Sequence, residues 1–426
     1  MKNPRKLAFD SLKRCEKDGK YSNLEVASRI SSNELDPRDK SLYTALVYGV
    51  IEKRISLDAL VSYFSKRPVE SIDREALVAL RLGLYQIAFM DRIPMHSACD
   101  ESVKLVKASG KKALAPFVNG VLRSAVKERE SFERILSEAG ESALYSVPEF
   151  VITLWREGYG EEMTKKLLVA FQKKPPVTLR VNTLKISTEE LFEKLKDTGA
   201  RVERHPFAED IIVLLSGSVE ELFGYDEGYF FVQGTGSYMA VKALSPKAGE
   251  RIIDTCACPG GKSFSAAVEM KNKGELFSFD LHKNKLSLIE KGAKRLGIDI
   301  IHADENNANC PRSELLGTAD GVICDVPCSG LGIIAKKPDI KYKDFEDIKR
   351  LPEVQRSILQ NSVRYLKNGG RIVYSTCTLN PDENERVTDA FLRENEGFHR
   401  AEGYPVTVFP MDGYEDGFFY DLLIKD

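Results

Sequence analysis

The chain has 426 residues, of which 42% are hydrophobic and 30% charged, and its formal net charge is -2. That length suits roughly two to four domains with sizeable cores, and the composition excludes a disordered or fibrous chain. No apolar run approaches the roughly 18 residues of a membrane span, and the basic N-terminus lacks the apolar stretch and cleavage site of a secretory signal.

Residues 1–130 read as helical. In LDALVSYFSK and REALVALRLGLYQIAFM apolar residues recur at three- and four-residue spacing. Asp100 is expected to cap the helix ESVKLVKA, and Gly110 to break it before a second apolar helix, ALAPFVNGVLRSAVKE. An all-α bundle follows. Residues 1–140 carry 25 Lys and Arg against 19 Asp and Glu, and the remainder 37 against 45. A mildly basic front end suits a nucleic-acid backbone, and equally a solvated helical surface.

Residues 131–170 read as helical connectors, with Pro148 near the start of PEFVITLWREGYG. KKPPVTLRVNTLK then brings a proline pair and a β-rich run. TEELFEKLKDTGA is an amphipathic helix and DIIVLLSG a strand, which makes a small α/β unit over about 171–230. From residue 231 the pattern is strand, loop, helix, repeated. RIIDTCA, ELFSFD, IIHAD, GVICDV and GGRIVYST alternate with helical segments, which implies a parallel, doubly wound sheet. Ligands bind such sheets beyond the carboxyl ends of the strands. PVTVFPMDGYEDGFFYDLLIKD reads as a terminal strand pair. The expected domains are therefore 1–135, all-α; 136–230, linker helices and a small α/β subdomain; and 231–426, an α/β catalytic domain.

The strand ends carry the chemistry. The first predicted strand ends in Asp254 and runs through Cys256, Ala257, Cys258, Pro259, Gly260, Gly261 and Lys262 into a helix. Two glycines allow close backbone approach, and the helix N-terminus offers free N–H groups. This is not the dinucleotide fingerprint G-x-G-x-x-G. Asp280, ending the second strand, is placed to grip ribose hydroxyls, and Asp304, ending the third, to meet an adenine edge. Either could instead be a helix cap, but the glycine loop and the two acids, in order at three strand ends, favour a nucleoside cofactor.

Eight cysteines are present and none form C-x-x-C pairs, so a reduced, cytoplasmic protein is expected. Cys15, Cys99, Cys310 and Cys324 read as small buried hydrophobes. Cys328 and Cys377 differ: both lie just past a strand, on the edge facing the cofactor's reactive end. Two cysteines and an acid beside a methyl donor make sense for carbon 5 of cytosine, a poor nucleophile. A thiolate that adds at carbon 6 turns the ring into an enamine. An acid must support N3 during addition, and a base must later remove the carbon 5 proton. No His and Cys spacing matches zinc, so no metal is expected. The histidines, His282 and His302 among them, read as structural or surface groups.

DTCACPGGK, DVPCSG and STCT, with ENE at 383–385, resemble the RNA cytosine-5 methyltransferases, which have the class I S-adenosylmethionine fold. The resemblance implies that Cys377 attacks carbon 6, that Cys328 assists release, and that Asp325 holds the cytosine near the cofactor. It also implies that Cys256 through Lys262, Asp280, Asp304 and Asp325 bind S-adenosylmethionine. FVNGVLR at 117–123 resembles the NusB-like domain fused to the bacterial RsmB (Sun) branch, which modifies small-subunit ribosomal RNA. LRVNTLK at 179–185, KKPDIKY at 336–342 and DGFFY at 416–420 resemble the same branch. From these segments Arg180, Asn182, Lys336, Lys337 and Lys341 are expected at RNA, with a solvated basic loop as the alternative for the lysines. Two positions depart from the family pattern: Cys258 stands where the family usually has Ala, and Gly234 where it commonly has Asp.

The expectation is a monomer of three parts: an all-α NusB-like RNA-binding domain, a small α/β connector, and a Rossmann-like class I methyltransferase domain. It would methylate carbon 5 of one cytosine in free or partly assembled 16S ribosomal RNA. Rivals are the same chemistry on transfer RNA or another ribosomal site, a non-catalytic RNA-binding scaffold, and a thiol redox protein using Cys256 and Cys258. The last lacks a resolving cysteine at the usual spacing.

Overall fold

The computed structural model describes residues 3–18, 22–33, 35–411 and 413–426. The chain divides into two compact units: residues 1–153 with 337–342, and residues 154–336 with 343–426. No helix of the described residues is long and apolar enough to cross a membrane.

The first unit is helical: α1 (Pro4–Asp18), α2 (Ser22–Ser32), α3 (Pro37–Glu52), α4 (Arg54–Ser65), α5 (Arg74–Phe89), α6 (Met95–Ala108), α7 (Ala115–Lys127), α8 (Phe132–Glu138) and α9 (Glu141–Tyr145). Asp36 caps α3 by accepting from the Asp39 N–H, with Pro37 in the first turn, where its missing N–H costs nothing. The helix α5 is the centre, buried from Ala76 to Ile87 over most of its positions. Its Arg81 is buried against Asp58 at 2.6 Å and Glu16 at 2.5 Å. One expectation is corrected: α6 starts at Met95, directly after Pro94, so Asp100 lies inside the helix rather than at its cap. Gly110 does end that helix, at φ +86°.

Residues 337–342 join this helical unit although they are far from it in sequence. Tyr342 donates to the Ile51 carbonyl at 2.7 Å, and the Arg54 guanidinium lies 3.5 Å from its ring centre. Ser22 donates to Asp339 at 2.5 Å.

The second unit opens within α10 (Glu149–Ala170), at Leu154; the helix is interrupted at Gly160, φ +81°. A small antiparallel sheet follows, from β1 (Val177–Val181), β2 (Arg201–Arg204), β3 (Ile211–Ser216) and β4 (Phe230–Val232), in the order β2-β3-β1-β4, with α11 (Thr188–Asp197) after β1. The large sheet comprises β5 (Arg251–Asp254), β6 (Glu275–Asp280), β7 (Ile301–Glu305), β8 (Ala319–Asp325), β9 (Leu366–Thr376), β10 (Phe398–Arg400), β11 (Val406–Val408) and β12 (Phe418–Lys425). Its order is β10-β12-β9-β8-β5-β6-β7. The helices are α12 (Thr235–Leu244), α13 (Gly261–Glu269), α14 (Lys283–Leu296), α15 (Phe345–Ser362) and α16 (Glu385–Glu394).

The strands from β9 to β7 are parallel, and adjacent residues face opposite cores. Ile252, Ile323 and Val373 pack with α12, α13 and α14. Ile253, Val322, Cys324, Ile372 and Tyr374 pack with α15 and α16. Burial on both faces explains why these strands read as continuous apolar runs. The terminal strands do pair, β11 with β12. In addition β12 enters the large sheet antiparallel to β9, a non-local pairing that local pattern does not reveal.

Candidate active site

The loop after β5 is shaped by its glycines. Gly260 sits at φ +112°, and a Cβ there would meet the Phe264 ring at 2.5 Å. Nothing lies within 4 Å of where a Cβ on Gly261 would stand. No side chain caps the N-terminus of α13, so its first N–H groups have no side-chain acceptor at the cap position. Asp254 is buried beneath the loop, accepting from Ser263 at 2.7 Å, and burial raises its carboxyl to about 7. Asp280 accepts from the backbone N–H groups of Cys258, at 3.3 Å, and His282, at 2.9 Å. Asp304 is half exposed and paired with Arg312 at 2.6 Å, whose hydrogen bond holds its carboxyl below the ordinary range.

Asp325, at the end of β8, stands between two anchors. Lys262 Nζ is 2.8 Å from its Oδ2, and Ser375 Oγ donates to Oδ1 at 2.7 Å. The parallel register sets Asp325 opposite Ser375, which brings the two loops beyond them side by side. Cys328 Sγ and Cys377 Sγ are 3.3 Å apart. The hydrogen bond with Cys377, then burial, then Glu383 and Asp325, hold the Cys328 thiol well above its ordinary value. The loops also meet backbone to backbone. Gly332 donates to the Cys377 carbonyl at 3.0 Å and Gly417 donates to the Gly332 carbonyl at 2.7 Å.

Sequence reasoning used ENE only as a motif and missed its work. Glu383 is fully buried. It accepts from the Ser329 N–H at 2.7 Å, Gln355 at 2.9 Å and Asn380 at 2.9 Å. Asn384 accepts from Thr376 Oγ1 at 2.6 Å and donates to the Thr378 carbonyl at 3.0 Å. Gln355 and Lys343, which hold the Pro327, Cys328 and Ser329 carbonyls, were also missed. The available signal was Gln355 at the helical spacing of the apolar face of α15, with Ile348, Ile358 and Leu359.

The expected RNA contacts need correction. Arg180 is 1% exposed and buried between Asp210, at 2.7 Å, and Glu269, at 2.8 Å. Asn182 is buried and donates to the Gly228 and Leu296 carbonyls. Lys341 is buried in the helical unit, donating to the Glu52 and Ser146 carbonyls at 2.7 Å each. None of the three presents a charge or donor to solvent. Lys336 is half-buried and paired with Asp416 at 2.7 Å, and Lys337 is exposed. Cys310 is exposed rather than buried, because its loop after β7 runs over the surface. Burial raises Cys256 well above its ordinary value and Cys258 to about 12, which disfavours the thiolates a redox pair needs. A side chain at Gly234 would approach the Asp416 carboxylate, 3.6 Å from the Cβ position, so an aspartate there would set two like charges together.

Three family profiles match the chain: the NusB family over residues 2–127, the RsmF/B-like ferredoxin-like domain over 147–220, and the 16S rRNA methyltransferase RsmB/F over 241–424. A probable ribosomal RNA small subunit methyltransferase B of Bacillus subtilis is 39% identical, over 92% of this chain and 89% of the relative. The ribosomal RNA small subunit methyltransferase B of Vibrio cholerae is 30% identical, over 95% and 93%. The crystal structure of PH0851 shares the fold over 100% of this chain and 99% of its own, with TM-score 0.82 and 24% identity. A methyltransferase homolog protein from Pyrococcus horikoshii has TM-score 0.60 and 26% identity, over 67% and 98%.

Proposed function

Because the chain belongs to the ribosomal RNA small subunit methyltransferase B family and uses S-adenosylmethionine, we propose that it methylates carbon 5 of one cytosine in 16S ribosomal RNA through a covalent Cys377 adduct. The donor set suits the cofactor. The uncapped start of α13 and the open face at Gly261 offer N–H groups to its carboxylate, and Asp280 and Asp304 stand at the ends of the next two strands. When bound, S-adenosylmethionine supplies the electrophilic methyl group that carbon 5 takes.

The Cys377 thiolate adds to carbon 6 of the cytosine, forming an S–C6 bond, and the displaced electron pair moves toward N3. N3 takes a proton relayed from solvent through Asp325, which Lys262 and Ser375 hold, and gives it back as the pair returns to carbon 5 to take the methyl group. After methylation a base removes the carbon 5 proton, the C5–C6 double bond re-forms and the Cys377 thiolate leaves. Cys328 is that base or its proton relay. In the free protein it keeps its proton, chiefly through its hydrogen bond with Cys377. Once Cys377 is bonded to carbon 6 that partner is gone, and the Cys328 proton is easier to release.

The observation that carries this reading is the 3.3 Å contact between the two sulfurs beside Asp325. The test is methyl transfer from labelled cofactor to unmodified small-subunit ribosomal RNA and, in parallel, to bulk transfer RNA, with the product nucleotide mapped. Label at carbon 5 of one ribosomal cytosine, lost in Cys377→Ala, is the expected result. Label in transfer RNA alone overturns the substrate, and transfer that survives Cys377→Ala overturns the adduct.

A further inference from the structure

We infer that Glu383 and Asn384 are positioning residues that divide the two thiol loops between them, Asn384 setting the loop of the attacking Cys377 and Glu383 the loop of the releasing Cys328. The assignment rests on the roles proposed above for the two thiols.

The partners are the residues flanking each cysteine. Asn384 accepts from Thr376, which precedes Cys377, and donates to the carbonyl of Thr378, which follows it. Glu383 accepts from the N–H of Ser329, which follows Cys328. It reaches the preceding residue through Gln355, whose amide donates to both the Pro327 carbonyl and Glu383. Each cysteine is thus held on both sides through its chain neighbours. The two halves also meet directly, at the hydroxyls of Ser329 and Thr378 at 2.7 Å, at the two sulfurs, and where Gly332 donates to the Cys377 carbonyl. Both side chains are fully buried, in a region where an unmade hydrogen bond is costly, so the loops cannot drift while these bonds stand. Tyr374 fixes the frame by donating to the Glu383 carbonyl at 2.6 Å.

A merely structural pair of polar residues would affect both half-reactions alike. A divided frame affects them in opposite senses. Glu383→Met frees the Cys328 loop; it also loses the bond from Asn380, but the bonds of Asn384 to Thr376 and Thr378 still hold the residues on either side of Cys377. Covalent protein–RNA adduct then builds up, and its release slows by about tenfold or more. Asn384→Leu frees the Cys377 loop, so adduct formation and methyl transfer both fall by about tenfold or more, with no build-up. Glu383→Gln keeps an acceptor for the Ser329 N–H and the Gln355 amide but sets an NH2 against the Asn380 amide donor, so its adduct build-up should fall between wild type and Glu383→Met.

The experiment counts denaturant-stable adduct and methylated product in single turnovers of the full-length protein with unmodified ribosomal RNA. Cofactor affinity and thermal melting check that each variant is folded. Gln355→Met, which breaks the same half of the frame more gently, replaces Glu383→Met if that protein does not fold. Cys328→Ala runs alongside. Adduct in Cys328→Ala but not in Glu383→Met or Gln355→Met overturns the frame. Equal loss of both half-reactions in the Glu383 and Asn384 variants also overturns it. No adduct in Cys328→Ala overturns instead the release role on which the frame stands.

Discussion

Lys262 and Asp325 face each other across the site, ammonium nitrogen to carboxylate oxygen at 2.8 Å. The pair joins the glycine loop after β5 to the Cys328 loop after β8, so on the proposed reading cofactor binding and cytosine placement would share one contact. Lys262 is nearly buried, 5.1 Å from the Phe418 ring centre, and donates also to Ser237 at 3.0 Å. Lys262→Met removes the charge but keeps the bulk. Cofactor affinity should fall by about tenfold and turnover by more, because Asp325 loses the partner that orients it. Calorimetric titration with the cofactor and steady-state rates check this. An unchanged dissociation constant together with unchanged turnover would remove Lys262 from the machinery.

Gly332 is the tightest backbone position in the site. A Cβ there would stand 2.0 Å from the Gly417 carbonyl oxygen and 2.8 Å from that of Cys377. Neither neighbour is a flexible side chain end, so Gly332→Ala must push the two loops apart. Methyl transfer should drop by about a hundredfold while cofactor binding, on the other side of β8, stays within about threefold. Near-normal turnover would mean that the loops tolerate separation.

Asp254 gives the protein a pH dependence with a definite sign. Burial raises its carboxyl from 3.8 to about 7. Between those values the folded state holds a proton that the unfolded chain has released. Stability from this group is therefore full below about pH 4 and is lost as pH rises to about 7. Urea unfolding at intervals from pH 4 to 8 should show wild type losing a few kcal/mol relative to Asp254→Asn. Parallel curves for the two proteins would refute it.

Lys341 gives a slope of the opposite sign at higher pH. Burial lowers its ammonium from 10.5 to about 7. From pH 7 upward the unfolded chain holds the extra proton, so stability from this group rises toward about pH 10. Lys341→Met should abolish that rise. It should also leave RNA affinity and its salt dependence untouched, since the side chain is enclosed by the Glu52 and Ser146 carbonyls. A salt slope reduced by about one unit in this variant would restore a phosphate contact.

The sequence by itself determined the five-strand parallel core, the glycine loop and the order of the strand-end motifs. These are local properties: a βα turn needs its glycine at one place, and a doubly buried strand shows as an apolar run wherever it lies. Placing Cys328 and Cys377 on one edge followed from topology rules alone, because parallel strands with right-handed crossovers leave few alternatives. What only the tertiary structure decided is burial and partnership. Arg180, Asn182 and Lys341 look like basic or polar surface in the sequence, and each is enclosed by residues remote from it: Arg180 by Glu269, Asn182 by the Leu296 carbonyl, Lys341 by those of Glu52 and Ser146. Glu383 and Ser329 are 54 positions apart and meet only because β8 and β9 are neighbours and α16 folds back over them. A charge is visible in a sequence, but its dielectric surroundings and its hydrogen-bond partner are set by distant parts of the chain.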